Sequence, residues 1–363
     1  MSKVDWTDTS YVFDIGVNMV DPRNVDKKLG SLNGVIFEGL SVTENYDSNS
    51  RVQAKVTTVV KEDQSDGYIP NSRLRIIASV PSKSWSSELI TGYVTDIKIT
   101  NEEGYIKREY SIDSTMWGLL NHKIANSITI KAGSKMIKIW TELIKNYTRM
   151  QYSTSNAQDR SFNTVIMYEP GTALSDILFD ISEGYSRMDV DGHGRLLLRR
   201  YIAPSKQTAT KTIDLMSDKA LAYGAFVKTS SEWDTPGRYI VTANVSGNSN
   251  GKTSQQVISG SYDAPSTHRS SIDTRGYLLS VSSSYSGGSQ SPSKTELAEL
   301  AKKYWSENQN LGIEWTGETV FGDYHAGDIV NLSVSNLSKK KCLVYEVTTE
   351  LSSFTQKLTL KEV

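Results

Sequence analysis

A chain of 363 residues with 40 basic and 41 acidic side chains has a net charge of -1, so nothing in its global electrostatics selects nucleic acid or an anionic membrane surface. Hydrophobic residues make up 37%, below the usual globular share but enough for several cores, and the length suits two or three domains. One cysteine, Cys342, excludes an internal disulfide framework and a cysteine-based zinc cluster; in Cys342-Leu343-Val344-Tyr345 it reads as a small buried hydrophobe rather than a reactive thiol.

The opening MSKVDWTDTS has no apolar core of a secretory signal, and no run approaches the ~18–20 apolar residues of a membrane helix. Synthesis and folding in the cytosol are therefore expected. Nineteen tyrosines, with 7 tryptophans and 7 phenylalanines, suit extensive β-surface, because tyrosine has an apolar body and a polar tip.

The first ~120 residues read as β. From Arg51 to Val60 the chain alternates, with Val52, Ala54, Val56, Thr58 and Val60 on one face. Arg73–Val80 is a second strand. Tyr93–Ile99 and Ile106–Ile112 flank a short turn ending at Gly104, which predicts a hairpin. The period then changes. Ser134 to Tyr147 places Met136, Ile139, Trp140, Leu143, Ile144 and Tyr147 on one helical stripe, with Ser134 positioned to cap it. Thr172 to Glu183 repeats the pattern through Leu174, Ile177, Leu178 and Ile181, with Gly184 as a left-handed C-terminal residue. Met188–Val190 and Arg195–Leu198 around Asp191-Gly192-His193-Gly194 predict another hairpin.

From ~205 the chain returns to β. Between Ser246 and Lys294 it is rich in Ser, Gly, Asn and Thr, which predicts long loops around short strands. One helix interrupts this half: Ser293-Lys294-Thr295-Glu296 is a capping box, and Leu297, Leu300, Ala301 and Tyr304 form its buried stripe. The final ~50 residues read as strands and short turns. No repeat of 20–50 residues is evident, although the two β-rich flanks are candidates for structural kinship, since β-folds hide it in sequence.

Each candidate for chemistry has a plainer reading. Gly247–Thr253 resembles a phosphate-binding loop, but Ser246 stands where the first glycine belongs. Asp189–Gly194 hints at a calcium loop, but Arg200 occupies the position of the bidentate carboxylate. Neither His122, His193, His268 nor His325 lies three to five residues from another histidine, so no local zinc pair exists. No Gly-x-Ser-x-Gly elbow occurs. In Gly317–Val334, His325 has no acid–base partner set by spacing, and Gly327-Asp328 suits a turn; a strand-to-strand corner is the preferred reading. No catalytic, cofactor-binding or metal-ligating residue is assigned, and no enzyme is expected.

The order of the parts resembles the phage baseplate hub, or tail-tip, family. The C-terminal third is similar to that family's closing pattern: the helix Thr295–Tyr304, the strand Ile313–Val320, the corner Phe321–Val330 and the strands of Leu343–Leu360. Arg238–Gly247 and Tyr262-Asp263 look like its strand, loop and acidic turn. Leu89–Ile97, with Gly92-Tyr93-Val94-Thr95-Asp96, resembles the strand of the hub's first barrel. Asp113–Leu120 resembles the exit into the connector, and Gly171–Leu178 a connector helix.

The resemblance implies a mainly β fold with two tail-tube-like β-barrel domains, residues 1–122 and 206–363, flanking an α/β connector at 123–205. The second barrel would hold the inserted helix 293–309. It further implies a homotrimer whose ring adapts a six-fold tail tube to a three-fold spike or fibre, with a tube or distal tail protein above and a spike, fibre or tape-measure protein below. DNA would pass through the lumen without specific binding, and the protein would reside in the virion. Larger relatives append a peptidase or lysozyme, and no such addition is expected before Val363. A lumen neutral to acidic follows from the near-zero charge, since each fixed cation at a phosphate adds affinity and slows sliding. Two other functions stay open on the residues: a carbohydrate-binding surface module, whose aromatics would stack on sugars, and a cell-wall hydrolase, for which no motif is present.

Overall fold

The computed structural model describes residues 12–363 except 49, 163–164, 184, 216–221, 232–234, 250–251, 286–291, 310–311 and 335–338. The fold is mainly β. The first β-region consists of β1 (Asp14–Asp21), β2 (Asn24–Ser31), β3 (Val35–Asn45), β4 (Val52–Lys61), β5 (Arg73–Val80), β6 (Trp85–Glu102) and β7 (Tyr105–Ser114). Alternation works as expected: Ala54, Val56, Thr58 and Val60 of β4 are buried, while their neighbours face outward. The β6–β7 hairpin turns at Glu103 and Gly104, both with positive φ. The β1–β2 and β3–β4 pairings continue past the strand ends. The Leu32 amide donates to the Val17 carbonyl at 2.9 Å, and the Val59 amide to the Gly34 carbonyl at 2.8 Å.

The middle holds α1 (Met116–Asn121), β8 (Ile128–Ile130), α2 (Met136–Tyr147), β9 (Tyr152–Asn156), β10 (Ile166–Tyr168), α3 (Leu174–Ser182), β11 (Ser186–Val190) and β12 (Leu196–Arg200). Its core gathers Met136, Trp140 and Ile144 of α2 with Ile177, Leu178 and Ile181 of α3, against Met188 and Leu198 of the β11–β12 hairpin. Ser134 does not cap α2. The N-cap is Lys135, without a side-chain bond, because another segment supplies the acceptors: the Arg160 carbonyl takes the Met136 amide, and Asp159 Oδ1 the Ile137 amide. Gly184 lies outside the described residues.

The second half contains β13 (Lys211–Asp214) and β14 (Ala222–Ser230), followed by β15 (Arg238–Ser249), β16 (Lys252–Asp263), α4 (Ile272–Arg275), β17 (Ser280–Ser284) and α5 (Lys294–Asn308). It closes with β18 (Ile313–Val320), β19 (Ile329–Ser333), β20 (Lys340–Glu350) and β21 (Thr355–Glu362). The expected capping box is present: Ser293 Oγ accepts from the Glu296 amide, and Glu296 accepts from the Ser293 amide. Leu297 and Ala301 are fully buried against Val241 and Ala243. Two expectations are corrected. The Ser/Gly/Asn/Thr-rich stretch takes in the end of one 12-residue strand and the whole of a second, in register from Arg238↔Asp263 to Ser249↔Lys252, because polar composition does not prevent pairing where Val and Thr recur. A short second helix, α4, also occurs, capped by Ser271 and ended by left-handed Gly276.

The two β-regions share one strand order. The first runs β3-β4-β7-β6-β5-β1, and the second β14-β18-β21-β20-β19-β13; in each, the strands appear in the same sequence along the chain. Their irregularities coincide. β3 and β14 each slip register two residues into pairing with their neighbour, and each slip contains a positive-φ glycine, Gly39 and Gly224. β6 and β20 carry bulges at Thr95 and Tyr345, set identically against β7 and β21. Asn71 and Gly327 take positive φ just before β5 and β19. Two relations differ: β2 extends the first sheet beyond β1 with no counterpart among the described residues of the second region, and β1 pairs antiparallel with β5, whereas β13 is parallel to β19.

Candidate functional site: the joint between the two β-regions

β3 pairs with β20 in antiparallel register from Ser41↔Glu350 to Asn45↔Glu346, which joins both regions into one sheet. β20 is shared along its length. β19 covers its first half, β3 takes over on the same edge, and β21 runs along the other. At the joint Val347 and Thr349 are buried, with Leu40, Val42 and Leu351 packed in the adjoining core. Polar pairs fix the register: Asn45 Nδ2 donates to Glu346 Oε2 at 2.8 Å, and the Thr43 and Thr348 hydroxyls meet at 3.1 Å.

The corner after β18 braces this joint. Its Gly322 and Tyr324 amides donate to Oε1 of buried Gln356, whose Nε2 donates to the Tyr324 carbonyl. His325 Nδ1 lies 2.9 Å from Glu44 Oε1 on β3, and Nε2 lies 3.3 Å from Asp323 Oδ1. The Ala326 amide donates to Glu44 Oε2. Glu44, seconded by Asp323, raises the imidazole pKa well above its ordinary value against the opposing effect of burial. Held protonated between two carboxylates, the ring has no free lone pair and serves as a cationic bridge rather than a general base. Asp328 accepts from the His325 amide and pairs with Lys211 at 3.0 Å, tying β13 to the same corner.

The middle region docks on the other side. The Thr91 and Thr115 hydroxyls donate to the Gly192 and Gly194 carbonyls at 2.7 and 2.8 Å, and His193 Nδ1 lies 2.5 Å from Glu88 Oε2. A Cβ on Gly192 would overlap the Glu88 carbonyl, so glycine is required there. Arg51 and Arg187 both donate to the Tyr46 carbonyl, and Arg187 stacks on the Tyr46 ring. Burial, then Arg187 itself, lowers the Arg51 guanidinium to about 10. Glu44, Tyr46, Arg51, Glu88, Arg187 and Asp328 line a polar cleft of about 540 Å³ where the three parts meet.

The sequence candidates do not converge. His122 lies edge-on to Tyr147, His268 contacts Ser270 and the edge of Trp305, and His193 and His325 bind separate glutamates. Among the described residues no group of three His, Cys, Asp or Glu is placed to hold a metal. Asp191–Gly194 is the turn of the β11–β12 hairpin, as expected. Gly247–Ser249 and Lys252–Thr253 lie in paired strand arms, so the phosphate-loop context of strand, loop and helix is absent; 250–251 lie outside the described residues. Cys342 is buried, and burial pushes its thiol up to about 12. The Gly317–Val334 stretch is a corner between strands, as expected, but the Glu44 partner of His325 was missed. It stands 281 residues away, and only the pairing of β3 with β20 brings it near.

No family model matches the chain, and no curated protein matches it in sequence. Solved structures do match over nearly its whole length. The prophage MuSo2 43 kDa tail protein from Shewanella oneidensis aligns with a TM-score of 0.65 at 10% identity, covering 96% of this chain and 98% of that one. The tail protein from Neisseria meningitidis MC58 gives 0.66 at 11% identity, with 97% of both chains covered. The Escherichia coli c3393 protein, a component of the type VI secretion system with structural similarity to the T4 bacteriophage tail proteins gp27 and gp5, gives 0.53 at 11% identity, covering 97% of this chain and 77% of that one. The fold of this chain is that of the phage tail proteins.

Proposed function

We propose that this chain is the baseplate hub of a phage tail or related contractile particle: a homotrimer whose two tube-like β-units per copy make a six-unit ring. The observation that carries the reading is the tail-protein fold over nearly the full chain together with two β-regions of one strand order, joined edge to edge. Two equivalent units per chain let three chains meet a six-fold tube on one side while presenting three-fold symmetry on the other. The reading divides the chain at 1–122, 123–205 and 206–363, with α5 as an insertion in the third part.

A tube or distal tail protein would sit above the ring, and a spike, fibre or tape-measure protein below. DNA would pass through the lumen, whose walls would be neutral to acidic so that phosphates slide without being held. A structural role fits a joint whose titratable groups are paired to one another. Light scattering should give the mass of three chains, and a tagged copy should appear at the tail tip in particle images. A stable single chain that never enters particles would contradict the proposal.

A further inference from the structure

The internal joint has a counterpart with one side missing. By the shared strand order, β14 stands where β3 stands, and β6 where β20 stands. The bulges set the alignment: Val94 and Asp96 on β6 correspond to Val344 and Glu346 on β20, each facing the equivalent residue of β7 or β21. The register slips set it for the other pair, with Val227 on β14 corresponding to Ser41 on β3. Within one chain β3 covers residues 346–350 of β20. Among the described residues no strand covers the corresponding stretch of β6, residues 96–100, or the outer edge of β14.

Burial tells the same story. Val347 and Thr349 are 0% and 3% exposed, whereas their counterparts Ile97 and Ile99 are 36% and 59% exposed. Ile97 lies opposite buried Tyr110, on the core face of its sheet, as Val347 lies opposite buried Leu358. On the other edge, Val227 is 59% exposed. Open β-edges bearing apolar side chains are templates for pairing with another chain. The polar pairs translate as well. Asn45 and Glu346 become Ser231 and Asp96, a hydroxyl donor facing a carboxylate, and Thr43 and Thr348 become Thr229 and Lys98.

We propose that the outer edge of β14 in one copy pairs antiparallel with the distal half of β6 in the next copy, in register from Ser231 opposite Asp96 to Val227 opposite Thr100. The contact is head-to-tail, so each copy offers one edge and receives another. Alternating with the β3–β20 joint, it carries a single sheet from unit to unit around the assembly, and closure at three copies gives six units. This rests on the hub reading above, and it names the strands and the register that build the ring.

Disulfide cross-linking tests the register. Lys98→Cys with Thr229→Cys, whose counterparts Thr43 and Thr348 touch in the internal joint, should give reducible dimer and trimer bands on oxidation, both for the purified oligomer and in tail particles. Lys98→Cys with Ala222→Cys should give none, and buried Cys342 supplies no background. A second variant, Ile97→Asp with Ile99→Asp, should reduce the solution mass to one chain while leaving the circular dichroism spectrum of the folded chain unchanged, because both side chains are exposed in the single chain. A three-chain mass without the in-register cross-link, or one that survives the aspartate substitutions, would overturn the joint and leave the hub standing. A single-chain mass, absence from particles and no cross-link would overturn both.

Discussion

In the first β-region the left-handed corner before β5 is Asn71-Ser72; in the second, before β19, it is Gly327-Asp328. The backbone is alike, and the side chains serve different neighbours. Asp328 reaches Lys211 and the His325 amide at a joint that exists within the chain. Ser72 only closes its own turn, its hydroxyl donating to the Ile69 carbonyl. The interiors diverge in the same way. Thr58 and Thr319 occupy equivalent positions on β4 and β18, and both are fully buried. Thr58 donates to Asp66, a buried carboxylate that also accepts from Tyr110 and the Tyr68 amide. Thr319 donates only to the Gln356 carbonyl at a long 3.4 Å, and the second region is braced by the neutral Gln356 side chain. One strand order thus tolerates two polar solutions, provided each buried group finds partners.

The largest effect should come from the neutral brace. Gln356→Ala leaves two buried amides and a carbonyl without partners, at about 1–3 kcal/mol each, so a loss of about 3 kcal/mol or more is expected in denaturant titration. Hydrogen exchange should place the loss in β18–β21; equal loosening of β4–β7 would erase the distinction between the regions.

Next comes the charged brace. Thr58→Val removes a bond to a carboxylate and should cost about 1.5–3 kcal/mol, against about 0.5–1 kcal/mol for Thr319→Val. Burial works to raise the Asp66 pKa, but hydrogen bonds from Tyr110, the Tyr68 amide and Thr58, with the Arg108 charge, together outweigh it and lower the pKa below the ordinary 3.8. Its contribution is therefore complete above about 3.8 and lost as pH falls through the depressed native value. Asp66→Asn should flatten that acid limb of the melting curve, whereas Gln356→Ala should leave its shape unchanged.

The smallest effect belongs to the cationic bridge. The His325 side chain is 40% exposed, so solvent screening holds its contribution to about 1 kcal/mol or less. Because its folded pKa is raised, the contribution is complete below the ordinary imidazole value of 6.5 and disappears as pH rises through the elevated one. The melting difference between wild type and His325→Asn should shrink with rising pH. A difference that grows with pH would show that the bridge does not stabilise the joint as a cation.

Much of this was legible in the sequence wherever the signal was local. The alternation of β4, the stripes of α2 and α3, the capping box of α5 and the two hairpins all rest on neighbours a few residues apart. The Ser134 cap failed because Asp159 and the Arg160 carbonyl, more than twenty residues away, satisfy the helix start instead. Gln356, Glu44 and Asp66 left no trace, since each looks like an ordinary polar residue until distant strands pair. The kinship of the two β-regions was expected from the order of the parts, but no residue-level signal carried it. Bulges and left-handed residues define it, and those tolerate Thr95 against Tyr345 and Asn71 against Gly327.

The most direct measurement is a cryo-electron microscopy map of the assembled chain viewed down its symmetry axis. The account predicts three copies in a ring of six similar β-units, with β3–β20 joints alternating with β14–β6 joints between copies. A map in which the β14 edge and the distal half of β6 are free, or are covered by a different protein, would contradict it.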